Sequence, residues 1–308
     1  MTLDPSYLAY DRRERGMDHD LYPWSNLFDR PPLAWPGELS VAVSVVVSLE
    51  WFPILPTDTP FRAPGHMQTA YPDYRHYTAR EYGTRVGFYR LLDSFARAGV
   101  HASVAVNGAI AERYPAIIND ILTAGHEIVA HSTDMNGTIA SGLGEADERA
   151  LIRGALDMIE AVAGVRPRGW LSIARSQSWN TPRLLVEEGL SYALDWVNDE
   201  LPYAMRTNAG ALINIPLNHE LSDRQIITVQ QQSADSYAQQ IGDACDWLVQ
   251  EATTHRAPRM LPLHITPYIM ALPYRIQAFD RMLADLSTRP GVGFLPTGTI
   301  HDSFRKQM

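Results

Sequence analysis

The chain has one cysteine and one lysine in 308 residues. Cys245 has no partner within the chain, so no internal disulfide forms. The lysine, Lys306, lies in the C-terminal tail and every other cationic side chain is arginine, which nearly excludes a Schiff-base lysine or a lysine general base. No run of eighteen apolar residues occurs, so no segment has the length of a membrane-spanning helix. The opening MTLDPSYLAYDRRERGMDHD is polar and does not read as a signal peptide; with the lone cysteine it leads us to expect a cytoplasmic protein. Excess cation is lacking too: the formal net charge of −9 argues against nucleic acid as a partner, since phosphate contacts need clustered cations. GxSxG, HExxH, Walker and GxGxxG patterns are absent, which leaves serine-hydrolase, zincin and nucleotide-binding readings unsupported. We find no internal repeat, low-complexity tract or clear domain boundary.

What is present is a 45% hydrophobic chain long enough for a sizeable core. Residues 1–40, rich in proline, read as an irregular extension packing on the domain that follows; residues 41–300 read as a single domain. ELSVAVSVVVSLE, at 38–50, is a continuous β-branched run suited to a strand buried on both faces. Residues 51–77 form a long loop of prolines and aromatics, including Trp51, Phe52, Phe61, Arg62, Tyr71, Tyr74, Arg75, His76 and Tyr77, expected to cover a pocket or pack on a neighbouring subunit. From about residue 80, helical and strand patterns alternate. EYGTRVGFYRLLDSFARAG, AIAERYPAIINDILTAG, GEADERALIRGALDMIEAVAG, NTPRLLVEEG (Thr181 as its N-cap), 233–255 and a segment from about 273 read as helices. VHASVAVNG, HEIVAHS, RPRGWLSI, SYALDWV, RMLPLHIT and VGFLP read as strands, with INIP and QIITVQ as two more. Such alternation predicts an α/β fold of parallel strands, closed as a barrel or doubly wound.

In such folds the site lies at the C-terminal ends of the strands. Polar residues expected there are Glu50, Asn107, His131 with Ser132, Arg175, Asp195 and His264. Glu50 follows an uninterrupted apolar strand, where a carboxylate is costly unless paired, liganding or catalytic. His264, in LPLHIT, is a candidate acid or base. His126 precedes its strand and reads as structural. Trp170 and Tyr203 are pocket candidates, although an aromatic at a strand position is more often core.

The order of these elements resembles the polysaccharide deacetylase (NodB-like) superfamily. The resemblance is carried by SLEW with Glu50, by His131-Ser132-Thr133-Asp134-Met135 after a strand, by RGWLSIARSQSWNT, and by the strand-borne His264 in LPLHITPY. It implies an irregular (β/α) barrel. LYPWSNLFDRPPLAWPG, REYGTRVGFYRLLD, GWLS…NTP and DWVNDELPY resemble more narrowly the intracellular branch of metal-independent-type allantoinases and cyclic imide hydrolases. That branch implies hydrolysis of a small cyclic amide, imide or ureide and a homo-oligomer, dimer or tetramer, with no nucleic-acid or membrane partner.

The family's metal triad of one acid and two histidines is broken here, because position 135 is methionine, a soft thioether and poor zinc ligand. Glu50 and His131 give two ligands, and His264 would have to become the third for the open site of a zinc hydrolase. Ligand counting therefore favours no tightly bound metal, with zinc on Glu50, His131 and His264 as the alternative. The expected mechanism is attack of water on a ring carbonyl. Glu50 or His264 acts as base, His131 orients the water or holds a metal, Arg175 or backbone N–H groups hold the oxyanion, and His264 protonates the leaving nitrogen. Trp51, His76, Tyr77, Asn107, Trp170, Asp195 and Tyr203 are expected to contact substrate. Two alternatives stand beside this reading: a metal-dependent carbohydrate N-deacetylase, and a non-catalytic binding protein on the same barrel.

Overall fold

The computed structural model describes residues 19–55, 70 and 72–308. The β-branched run forms β1 (Val41–Leu49), with all nine residues buried, as a strand covered on both faces must be. The helical pattern after residue 73 forms α1 (Tyr74–Tyr82), a wide π turn at Gly83–Gly87, and α2 (Phe88–Ala98), ended by Gly99 in the left-handed region. The next segments form β2 (Ser103–Val106), α3 (Gly108–Arg113), α4 (Pro115–Thr123) and β3 (Glu127–Ala130). The helix expected across 109–125 is broken at Tyr114, because Pro115 cannot continue α3 but suits the first turn of α4.

The chain continues through α5 (Glu145–Ala163), β4 (Gly169–Trp170), α6 (Thr181–Glu187) and β5 (Tyr192–Ala193). It then forms β6 (Tyr203–Thr207), β7 (Gly210–Asn214) and α7 (Ala234–His255). It closes with β8 (Arg259–Ile265), α8 (Pro267–Met270), α9 (Ile276–Thr288), β9 (Val292–Phe294) and α10 (Thr297–Arg305).

These strands form one nine-stranded sheet in the order β6-β7-β5-β4-β3-β2-β1-β8, with β9 paired to β1. Every pair is parallel except the β6–β7 hairpin. The path ends at β6 and β8, so the α/β sheet curls into a half-barrel with helices packed around it. β1 is its axis, bonded to β8 over Val41–Val47 and to β2 over Val46–Leu49.

Three expectations change. QIITVQ lies in a π-helical turn, Arg224–Val229, not a strand; the Ser222 hydroxyl accepts from Gln225 N–H at 3.1 Å and caps it. Thr181 is the first residue of α6 and not its cap, because its hydroxyl is committed to Glu148 and Ser178. The strand read at INIP, 213–216, begins earlier, at Gly210, and ends at Asn214, and β6, its hairpin partner, is absent from the sequence reading. The loop residues Phe61, Arg62 and Tyr71 lie outside the described residues.

Candidate active site

Period-two alternation along β1 puts Ser48 and Glu50 on the same face, where its carboxyl end meets that of β8. Ser48 lies beside His264, its Oγ 2.6 Å from Nε2. On the other side of the ring, Arg175 Nη2 donates to His264 Nδ1 at 3.1 Å. A guanidinium can only donate, so Nδ1 is the acceptor and Nε2–H donates to Ser48. Burial, then the charges of Arg175 and Arg224, push the His264 pKa well below that of a free imidazole. His264 is thus a neutral ring with both nitrogens engaged.

His131, one residue past β3, has the opposite tautomer. Its Nδ1 stands 2.6 Å from the Leu171 carbonyl oxygen, which can only accept, so Nδ1 carries the proton. Its Nε2 is buried with no hydrogen-bond partner among the described residues. Burial lowers its pKa, against the opposing pull of Glu50 and the Leu171 carbonyl, so the ring is neutral and Nε2 presents a lone pair.

Glu50 is bound on both oxygens. Arg224 Nη2 donates to Oε1 at 2.9 Å and the Tyr268 hydroxyl to Oε2 at 2.6 Å. Asp195 accepts from Ser172 N–H at 2.6 Å, from Ser172 Oγ at 2.8 Å, and from Gln177. Burial raises its pKa to about 6, against those hydrogen bonds. Arg175 reaches in from strained backbone: Ala174 and Arg175 have φ of 54° and 56°, conformations rare for side-chain-bearing residues. Burial brings its pKa down to about 10.

Glu50, His131, Arg175, Asp195 and His264 all line one cleft of about 1140 Å³, with Ser48, Gln177, His219, Arg224 and the aromatic walls Trp179 and Trp196. Six other predicted contacts do not line it. Trp170 is fully buried, its indole N–H given to Ser172 Oγ at 2.8 Å; it belongs to the core behind the cleft. Asn107 is also fully buried and straps strand ends together, accepting from Trp51 N–H at 2.8 Å and donating to the His131 carbonyl. The Trp51 ring lies under Arg113, 4.2 Å from its guanidinium carbon. His76 packs edge-on to Phe52 at 5.8 Å, and Tyr77 is half-buried on α1 beside it. Tyr203 packs against Tyr22 at 4.7 Å and lines a second cavity of about 420 Å³ that shares Asn198 and Asp199 with the main cleft.

Sequence reasoning missed Ser48, Tyr268 and Arg224. Ser48 was findable, standing two positions before Glu50 on its face, and Tyr268 follows β8 at the corresponding strand end. Arg224 sits beside a run read as a strand.

The donor set does not fit a metal of the family's kind. Met135 is in the core at 2% exposure, Glu50 is held by an arginine and a tyrosine, and both His264 nitrogens are spent. Among the described residues no group of three His, Cys, Asp or Glu side chains is placed to hold an ion. Nor is any described helix long and apolar enough to cross a membrane.

Residues 81–192 match the family model for polysaccharide deacetylase. A probable polysaccharide deacetylase from Pseudomonas aeruginosa PAO1 superposes with a TM-score of 0.82 at 28% identity, covering 93% of this chain and 99% of that one. PuuE allantoinase superposes equally well, TM-score 0.82 at 27% identity over 92% of this chain and 98% of that one. A peptidoglycan deacetylase of Helicobacter pylori is 23% identical over 254 residues, 72% of this chain and 85% of its own length. Over residues 81–192 the chain is thus similar to the polysaccharide deacetylase family, and its fold is shared with a probable polysaccharide deacetylase and with an allantoinase.

Proposed function

We propose that the protein is a hydrolase of the carbon–nitrogen bond in a small cyclic amide, imide or ureide, with His131 as its base. One observation carries the mechanism: the buried His131 Nε2 lone pair in the cleft wall, unpartnered among the described residues. Water attacks the ring carbonyl carbon as Nε2 takes its proton. The carbonyl oxygen gains the charge, and the Arg175 guanidinium, whose Nε–H is also buried without a partner among the described residues, stabilises it. The tetrahedral centre then collapses, the carbon–nitrogen bond breaks, and Nε2–H returns the proton to the leaving nitrogen. His264 is a positioning residue here, holding Arg175 against Ser48 and the β1 strand end. This differs from the sequence-based assignment of the base to Glu50 or His264, because Glu50 is committed to Arg224 and Tyr268.

The cyclic substrate is supported by the likeness to PuuE allantoinase and by the two indoles, Trp179 and Trp196, whose flat faces suit a planar ring. The alternative, a carbohydrate N-deacetylase, draws support from the family match and from the second cavity continuing the cleft. Hydantoin, succinimide, allantoin and an N-acetylglucosamine oligomer should be screened with the purified protein, with and without chelator. Ring opening of one of the first three, unaffected by chelator, is the expected result. Chelator-sensitive release of acetate from the sugar alone would overturn the reading.

A further inference from the structure

We infer that Arg224 is a resident cation standing in the electrostatic place of a metal ion beside Glu50, so that Arg224 and Met135 each separately close this cleft to a divalent ion. Met135 alone accounts for a missing ligand. It does not account for what holds the acid.

The Glu50 side chain is 4% exposed and that of Arg224 14%, with Oε1 and Nη2 at 2.9 Å. The same Nη2 lies 3.0 Å from the Tyr268 hydroxyl and 3.4 Å from Thr266 Oγ1, so the guanidinium is fixed and not a mobile surface charge. Tyr268 closes the second carboxylate oxygen. The preceding residue, Asp223, is fully buried and accepts from Thr266 N–H at 2.7 Å, pinning the start of the turn that carries Arg224 to the end of β8. A buried carboxylate needs a compensating charge, and here the chain supplies it from its own arginine side chain. A divalent ion on Glu50 would have to displace that guanidinium or sit against it.

Position 135 is the second lock. Its backbone N–H donates to the Trp51 carbonyl at 3.0 Å, so residue 135 stands beside the residue that follows Glu50. A histidine there would raise the count of neighbouring donors to three with Glu50 and His131, the minimum for a zinc hydrolase site. Arg224 would still hold the acid. Restoring the ligand and removing the cation should therefore be strongly non-additive.

The test uses the full chain without substrate, so its outcome is independent of the proposed reaction. Zinc affinity is measured by competition with a chromophoric chelator, and ligation by cobalt(II) visible absorption, for wild type, Met135→His, Arg224→Met and the double variant. The double variant should bind zinc about a hundredfold more tightly than either single one, a scale set by outer-sphere control of metal sites. Near-complete binding by Met135→His alone, about one equivalent of metal on the wild type as purified, or a double variant no tighter than the singles would each overturn the inference. If Arg224→Met does not fold, as judged by near-ultraviolet circular dichroism, Arg224→Gln keeps a donor to Glu50 without the charge and is held to the same outcomes.

Discussion

His126 should make the fold acid-labile. Its imidazole is 6% exposed, packed edge-on to Phe95 at 5.5 Å and to His101 at 6.0 Å. Its Nδ1 accepts from Ala102 N–H at 3.1 Å, so a proton on that nitrogen would break the bond that starts β2. Burial, helped by His101, lowers its pKa from 6.5 to about 4. The folded state therefore binds the proton less readily than the unfolded chain. Between about pH 6.5 and 4 the unfolded state holds more protons, so stability falls as pH falls through that window. The full shift corresponds to about 3 kcal/mol, and about 2 kcal/mol is lost by pH 5 relative to neutral pH. Asp195 and Asp223, whose pKa values are raised by burial to about 6 and about 7, act with the opposite sign, so total stability would mix these slopes. The comparison of wild type with His126→Asn, which keeps an acceptor and does not titrate, isolates the histidine. Urea unfolding at several pH values between 4.5 and 7.5 should show the wild type losing its advantage over the variant on acidification. Parallel curves would refute the reasoning.

His131→Ala should lower kcat by roughly 10²–10⁴-fold with KM little changed, measured on whichever substrate the screen identifies; a loss under about tenfold would place the base elsewhere. Gly169→Ala should destabilise the fold by about 1–3 kcal/mol in urea unfolding, because a Cβ there would stand 2.2 Å from the Tyr192 ring, whose hydroxyl is held by Glu127 at 2.7 Å. An unchanged midpoint would mean that β4 and β5 can part without cost.

The strands that carry the site were legible because burial leaves a plain mark. β1 and β8 are apolar runs with no room for another assignment, and each places a polar residue where the run ends or turns inward. β4 and β5 are two residues each; their segments were found from flanking punctuation, but their length was not, since so short a strand has no period. The turn at 224–229 was misread because Ile226, Ile227, Thr228 and Val229 carry β propensity, which a hydroxyl cap and two buried isoleucines overrode. That error hid Arg224. Strand-end residues near the motif were overvalued for a related reason: sequence places Trp170 and Asn107 at strand ends, and only the folded chain buries both side chains fully, away from the cleft. The tautomers of His131 and His264 depend on Leu171 and Arg175, 40 and 89 residues distant, and no local pattern holds that information.

The β1–β8 ladder runs in register from Val41↔Arg259 to Val47↔Ile265, with Val46 opposite His264. The spacing between Ser48 and that imidazole is therefore written in main-chain pairing, like teeth on two meshed racks. Changes to chain outside this ladder should therefore leave the floor of the cleft in alignment.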